Sequence, residues 1–131
     1  MEEIILILTV GLPRSGKSTW AKTQGVPIVN PDAIRLALTG QAFRAESENF
    51  VWAIARCMVE SLFGAGHTTV ILDATNTTTA RRDMWFSETW TRQYKVFDTP
   101  VDVCIQRAID GKRMDLIPVI KRMQSLYEPV A

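Results

Sequence analysis

An apolar run, IILILTV at residues 4–10, passes without a break into GLPRSGKS at 11–18 and then into TWAKTQ at 19–24. A continuous β-rich run of this kind is the pattern of a central parallel strand covered on both faces. The letters after it satisfy Gly-x-x-x-x-Gly-Lys-Ser through Gly11, Gly16, Lys17 and Ser18, with a strand before and a helix after. That is the context a phosphate-binding loop requires. Its glycines let backbone amides turn toward phosphate oxygens, and the opening helix adds its dipole. Gly11, Leu12, Pro13, Arg14, Ser15, Gly16, Lys17, Ser18 and Thr19 are therefore expected to surround the phosphates of a nucleotide. Lys17 would place its charge on the β and γ phosphates, and Ser18 would offer a hydroxyl to Mg²⁺.

The remaining strands and helices alternate. VPIVN (26–30) reads as a second strand, followed by a helix in NPDAIRLAL (30–38) that Asn30 or Asp32 can cap. In residues 46–63 Phe50, Ala53, Ile54, Cys57, Met58 and Ser61 recur at three-and-four spacing, predicting a long amphipathic helix ended by GAGH. TTVILD (68–73) is a third buried strand, residues 77–93 a capped helix, and YKVFD (94–98) a fourth strand. Helices over 100–111 and 118–128 complete the chain. This alternation predicts an α/β fold, a parallel sheet with right-handed crossovers and helices on both faces. With 131 residues and 47% hydrophobic content, one domain over 1–131 is expected.

Fifteen Lys and Arg against 14 Asp and Glu give a net charge of +1, so any polyanion must be held by a local patch rather than a global field. The apolar N-terminal run follows two glutamates, lacks a small-residue cleavage site and enters the loop directly, which argues against a signal peptide or membrane span. A cytoplasmic location is expected. Cys57 and Cys104 stand alone, without metal-ligand spacing, and read as buried free thiols.

Three further groups carry chemistry. Asp73 closes the third strand, where an acid sits beside a phosphate loop and reaches Mg²⁺ through water. Asp32 and Arg35 lie three apart at the start of a helix, on one face, at the sheet edge where open α/β folds bind ligands. An Asp there can accept a hydroxyl proton and an Arg can hold a phosphate, although a helix cap with a solvated Arg fits equally. RAIDGKR sets Arg107, Lys112 and Arg113 around Gly111 between two helices, the composition of a cationic lid. A phosphate loop alone does not separate ATPases, GTPases, switches and kinases. The chain's size and the absence of an NKxD-like guanine-reading tetrapeptide favour a small kinase.

Taken together, GLPRSGKSTWA, VNPDAIR, DATNTTTARRDMW, VFDTP and RAIDGKR…IP resemble the 5′-kinase domain of the T-even phage and bacterial end-healing polynucleotide kinases, in order and across nearly the whole chain. The resemblance implies a P-loop NTPase fold of four or five parallel strands in the adenylate-kinase-like order 2-3-1-4. It implies ATP as phosphoryl donor, Mg²⁺ as cofactor and a 5′-hydroxyl DNA or RNA end as acceptor. Lys17 and Ser18 would bind donor phosphates and Mg²⁺, Asp32 would be the general base and Arg35 would hold the acceptor's 3′-phosphate. Arg113, Arg107 and Lys112 compete for the lid contact to the donor. Thr75, Asn76 and Arg82, in and after DATN, are the remaining acceptor candidates, Arg82 being preferred to Arg81.

Two features depart from the phage pattern. No DxDGT-type aspartate motif is present, so 3′-phosphatase activity is not expected, and Arg14 stands where those kinases commonly carry Gly. Arg14 adds a cation that either strengthens donor binding or reaches toward a polyanionic acceptor. Two other classes stay open: a P-loop kinase of a small hydroxylated molecule such as a nucleoside, nucleotide, sugar or antibiotic, and a nucleotide-binding module without transfer. Trp20, Trp52, Trp85 and Trp90 are expected on helices as core residues rather than as stacking platforms.

Overall fold

The apolar run becomes the centre of a sheet because both of its edges find partners. In the computed structural model, which describes residues 2–40 and 43–130, strand β1 (Ile5–Val10) pairs in parallel with β3 (Thr69–Leu72) on one side and β4 (Thr91–Val96) on the other. Strand β2 (Ile28–Val29) pairs with β3, giving the order β2-β3-β1-β4. The expected four-stranded parallel sheet and its strand order are both present. Leu6, Leu8, Val70 and Leu72 pack one face against Val51, Ala55, Val59 and Phe63. Each of these side chains except the smaller Ala55 contributes roughly 1.5–3 kcal/mol by leaving water.

The helices are α1 (Lys17–Lys22), α2 (Pro31–Thr39), α3 (Glu48–Gly64), α4 (Thr79–Asp83), α5 (Val101–Asp110) and α6 (Leu116–Leu126), with a 3₁₀ turn at Ala45–Ser47 before α3. Asn30 caps α2: its Oδ1 accepts from the amides of Asp32 and Ala33, while Pro31 occupies the first turn, where no amide is needed. A second cluster of Leu12, Cys104, Ala108 and Ile120 fastens α5 and α6 to the phosphate loop.

Three expectations about the elements are corrected. Helix α3 buries Val51, Ala55, Val59 and Phe63, not the predicted stripe, whose Phe50, Ile54 and Met58 are exposed. Both stripes run at helical spacing, and packing against the sheet decides which one is covered. Cys57 is accordingly exposed, while Cys104 is buried as expected. The predicted long helix over 77–93 is only α4, and Thr91, Arg92 and Gln93 belong to β4. Strand β4 ends the sheet and alternates exposed with half-buried residues, so it lacks the continuous apolar run of an inner strand. Trp85 and Trp90 are therefore buried from the segment between α4 and β4 and not from a helix.

Arg82 supplies a fold-level surprise. It is only 4% exposed, and its guanidinium donates to the backbone carbonyls of Asn76 (2.8 Å) and Glu128 (2.8 Å). An arginine used in this way binds the DATN turn to the C-terminal segment, and the expected contact with an acceptor would require these bonds to be given up. Arg82→Gln is expected to lower unfolding free energy by ~2–4 kcal/mol, because buried carbonyls lose their donors. Urea denaturation of the variant checks this, with nucleotide affinity measured on the fraction that stays folded.

Candidate active site

The phosphate loop is built by packing as much as by its glycines. A Cβ on Gly11 would stand 2.8 Å from Ser15 Oγ and 3.0 Å from Phe97 Cβ, and Gly16 has φ 104°, so neither position accepts another residue without strain. The loop is tied at three points. Gly11 donates its amide to the Thr75 carbonyl (3.0 Å), Thr99 Oγ1 donates to the Ser15 carbonyl (2.8 Å), and Arg107 Nη1 donates to the Arg14 carbonyl (3.1 Å). Thr75 thus reaches the loop through its backbone. Asn76, at φ 44°, turns its side chain inward to donate to the Thr9 carbonyl (2.8 Å) and is 1% exposed. Its amide is thus committed to the end of β1.

Inside the loop Lys17 is 7% exposed and its Nζ donates to the Leu12 carbonyl (2.6 Å). Burial pushes its pKa down to about 8, partly opposed by the negative charges of Asp73 and Asp32. Ser18 Oγ donates to Asp73 Oδ2 (2.6 Å), which also accepts from Asn30 Nδ2 (3.1 Å). A buried carboxylate bonded to the hydroxyl of the loop serine is a hard oxygen pair, the donor chemistry that suits Mg²⁺ with its water shell. The residues present therefore fit a magnesium nucleotide.

Asp32 and Arg35 meet as their spacing predicts, Arg35 Nη1 donating to Asp32 Oδ1 at 2.7 Å. Their third partner carries no local sequence signal. Glu48, at the start of α3, accepts from Arg35 Nε (3.0 Å) and Nη2 (2.8 Å). Three of the five guanidinium N–H groups are used in this way, leaving one on each Nη. Burial works against the charge of Arg35, but the bonds to Glu48 and Asp32 outweigh it and hold its pKa above the usual value. Asp32 itself is 78% exposed, and its charge is felt by both Lys17 and Arg113, so it stands between loop and lid.

The lid cations divide. Arg107 bonds the loop, whereas Arg113 pairs with Asp115 through Nε (3.0 Å) and Nη2 (3.1 Å). Lys112 follows Gly111 with φ 57°. Gly111 itself has an ordinary φ of −84°, so its role lies elsewhere: a Cβ there would meet the Arg14 guanidinium at 3.1 Å. Arg14 is therefore laid against the start of the lid, with its backbone held at φ 67° in the left-handed region. That conformation costs a non-glycine residue on the order of 1 kcal/mol. The Arg14 charge also helps lower the pKa of Asp115, behind the larger effect of the Arg113 bond. Arg14→Gly is expected to relieve the strain and release the lid, raising KM for the nucleotide several-fold while leaving KM for the acceptor within about twofold. Separate saturation curves for the two substrates check this.

Arg81, unlike Arg82, turns toward α3. Its guanidinium lies 4.0 Å from the Trp52 ring centroid, and that of Arg35 lies 5.6 Å from the same ring. No local sequence signal separates adjacent arginines on a short helix. Their fates diverge because only one of the two directions meets the C-terminal carbonyls.

Comparison with known proteins agrees with this architecture. The chain matches the AAA domain family over residues 6–128. It is similar to a chain in a Pnkp1/Rnl/Hen1 complex at 31% identity and a TM-score of 0.72, over 82% of this chain and 40% of that one. It thus spans less than half the length of that relative, whose similarity accords with the end-healing resemblance carried by the motifs. A gluconokinase from Sinorhizobium meliloti 1021 matches at 18% identity and TM-score 0.64, over 98% of this chain and 78% of that one. A shikimate kinase from Acinetobacter baumannii, in complex with shikimate, matches at 22% identity and TM-score 0.54, over 95% and 73%. Among the described residues no helix is long and apolar enough to cross a membrane. With its phosphate loop, strand order and family match over residues 6–128, the chain belongs to the AAA domain family and has the fold of the P-loop kinases.

Proposed function

We propose that the chain transfers the γ-phosphoryl group of ATP to the 5′-hydroxyl of a DNA or RNA end. The observation that carries this reading is Asp32, exposed and oriented by Arg35, whose charge is felt at the loop lysine. An acceptor hydroxyl beside Asp32 gives its proton to the carboxylate as its oxygen bonds to the γ phosphorus and the bridge to the β phosphate breaks. Among the described residues two N–H groups of Arg35 have no partner and can meet the phosphate on the 3′ side of the acceptor nucleotide, and Glu48 keeps that fork in place. Lys17 meets the charge on the donor phosphates, and Arg107, with Arg14, keeps loop and lid together. Ser18 and, through water, Asp73 would hold Mg²⁺, which neutralises the β and γ phosphates when bound.

A screen of acceptors with ATP, read as ADP release, tests the reading. Release is expected with 5′-hydroxyl DNA or RNA oligonucleotides. Release only with a small hydroxylated molecule would replace the acceptor class, and nucleotide binding with no release on any acceptor would make the chain a binding module.

A further inference from the structure

Asn30, the one residue between β2 and α2, faces two ways. Its Oδ1 accepts from the amides of Asp32 (2.8 Å) and Ala33 (3.3 Å), while its Nδ2 donates to Asp73 Oδ2 (3.1 Å). That same carboxylate oxygen accepts from Ser18 Oγ (2.6 Å). The first turn of α2 is thereby joined, through one side-chain amide, to the oxygen pair expected at the donor phosphates. The backbone repeats the tie, since the Asp73 amide donates to the Val29 carbonyl (2.9 Å) just before Asn30. Asp73 is 5% exposed, a fixed point against which α2 is set.

The residue type is informative. Ser and Asp cap a helix about as well as Asn does, and Thr nearly so. Of these only Asn carries an amide, which accepts at one atom and donates from the other. Asp would turn a second carboxylate toward Asp73, and Ser or Thr has a single short hydroxyl for both tasks. Capping alone therefore leaves the Nδ2 bond unexplained. Asp32 is the group that needs such a fixed point. It is 78% exposed, and its carboxylate pairs with Arg35 on its own helix, a bond that moves with α2 and sets no distance to the phosphate loop.

We propose that Asn30 is a positioning residue, holding the start of α2 against Asp73 so that Asp32 meets the acceptor hydroxyl beside the γ phosphate of the donor. The inference rests on the reading of Asp32 as the base. It goes further by naming the side chain that sets the distance of Asp32 from the donor. The effect is geometric: a displacement of about 1 Å at a reacting group can cost on the order of 10²-fold in rate. Asn30 touches neither substrate in this scheme. Its loss therefore acts on the rate through Asp32 and spares nucleotide affinity.

Asn30→Ser keeps a cap on α2 and removes the amide donor to Asp73. It should lower kcat on a 5′-hydroxyl oligonucleotide about 10–10²-fold, with KM for ATP within about threefold and the melting temperature within a few degrees. A double-mutant cycle separates positioning from a general structural role. In the Asp32→Asn background, whose residual transfer is followed with labelled ATP, adding Asn30→Ser should cost less than about twofold, because the group being positioned is already gone. A cost as large there as in the wild-type chain, or a wild-type kcat in Asn30→Ser, overturns the role and leaves the 5′-kinase reading standing. The tie is also read without transfer, by NMR amide exchange on adding a non-hydrolysable ATP analogue with Mg²⁺. Binding at Ser18 and Asp73 orders the carboxylate that holds Asn30, so the Asp32 and Ala33 amides should slow several-fold in the wild-type chain and not in Asn30→Ser. If no 5′-hydroxyl acceptor is phosphorylated, that reading falls and the exchange measurement decides alone, the same response in both proteins overturning the tie.

Discussion

Asp32→Asn should lower kcat for phosphoryl transfer by roughly 10²–10⁴-fold while ATP affinity stays within a few-fold, because in the proposed reaction only the group that takes the acceptor proton is lost. The fold should be indifferent to the change. Asp32 is 78% exposed, its ion pair with Arg35 is a surface pair worth at most ~1 kcal/mol, and Arg35 keeps both bonds to Glu48. Calorimetric titration with ATP, thermal melting and steady-state kinetics on one preparation separate these effects. A variant that melts normally and binds ATP but transfers at the wild-type rate would remove Asp32 from the chemistry. A pure nucleotide-binding module would show no transfer in either protein.

Lys17→Met should act in opposite directions on activity and stability. Losing the cation at the donor phosphates is expected to cost on the order of 10²–10³ in kcat. The buried ammonium meanwhile burdens the folded state. Its pKa is about 8 when folded against an ordinary 10.5, so between those values the unfolded chain binds more protons and stability rises with pH. Below pH 8 the charged form therefore costs on the order of 3 kcal/mol. Methionine removes that cost and also removes the bond to the Leu12 carbonyl, so a net gain of ~1–2 kcal/mol at pH 7 is expected, about 4–8 °C in melting temperature. The advantage should shrink toward pH 10, where the wild-type lysine folds neutral. Melting curves of both proteins at pH 7 and pH 10 check the sign. Equal melting temperatures at pH 7 would show that Lys17 is better solvated or better paired than its burial implies.

Much of the donor side is legible in the letters of residues 4–18, since a buried strand, two required glycines, a lysine and a serine at fixed offsets leave few alternatives. The acceptor side is less so, for physical reasons that differ from residue to residue. Asp32 and Arg35 are close in sequence, so helical spacing predicts their contact, but Glu48 comes from another helix and no local rule brings it to Arg35. Arg81 and Arg82 are neighbours with opposite environments, decided by where residues 128 and 129 pass. In α3 two apolar stripes compete, and only the sheet determines which is covered. Strand β4 hides in a polar stretch because an edge strand needs only half of its residues indoors. Arg14 becomes intelligible only beside Gly111, 97 positions on, where the missing side chain makes room for its guanidinium.

The most direct test of the account is label transfer from γ-labelled ATP, with Mg²⁺, to matched DNA and RNA oligonucleotides that end in either a 5′-hydroxyl or a 5′-phosphate. Label is expected on the 5′-hydroxyl strands and not on the 5′-phosphorylated ones, and the signal should be lost in Asp32→Asn. Well-folded protein that binds ATP yet labels neither DNA nor RNA at a free 5′-hydroxyl would contradict it.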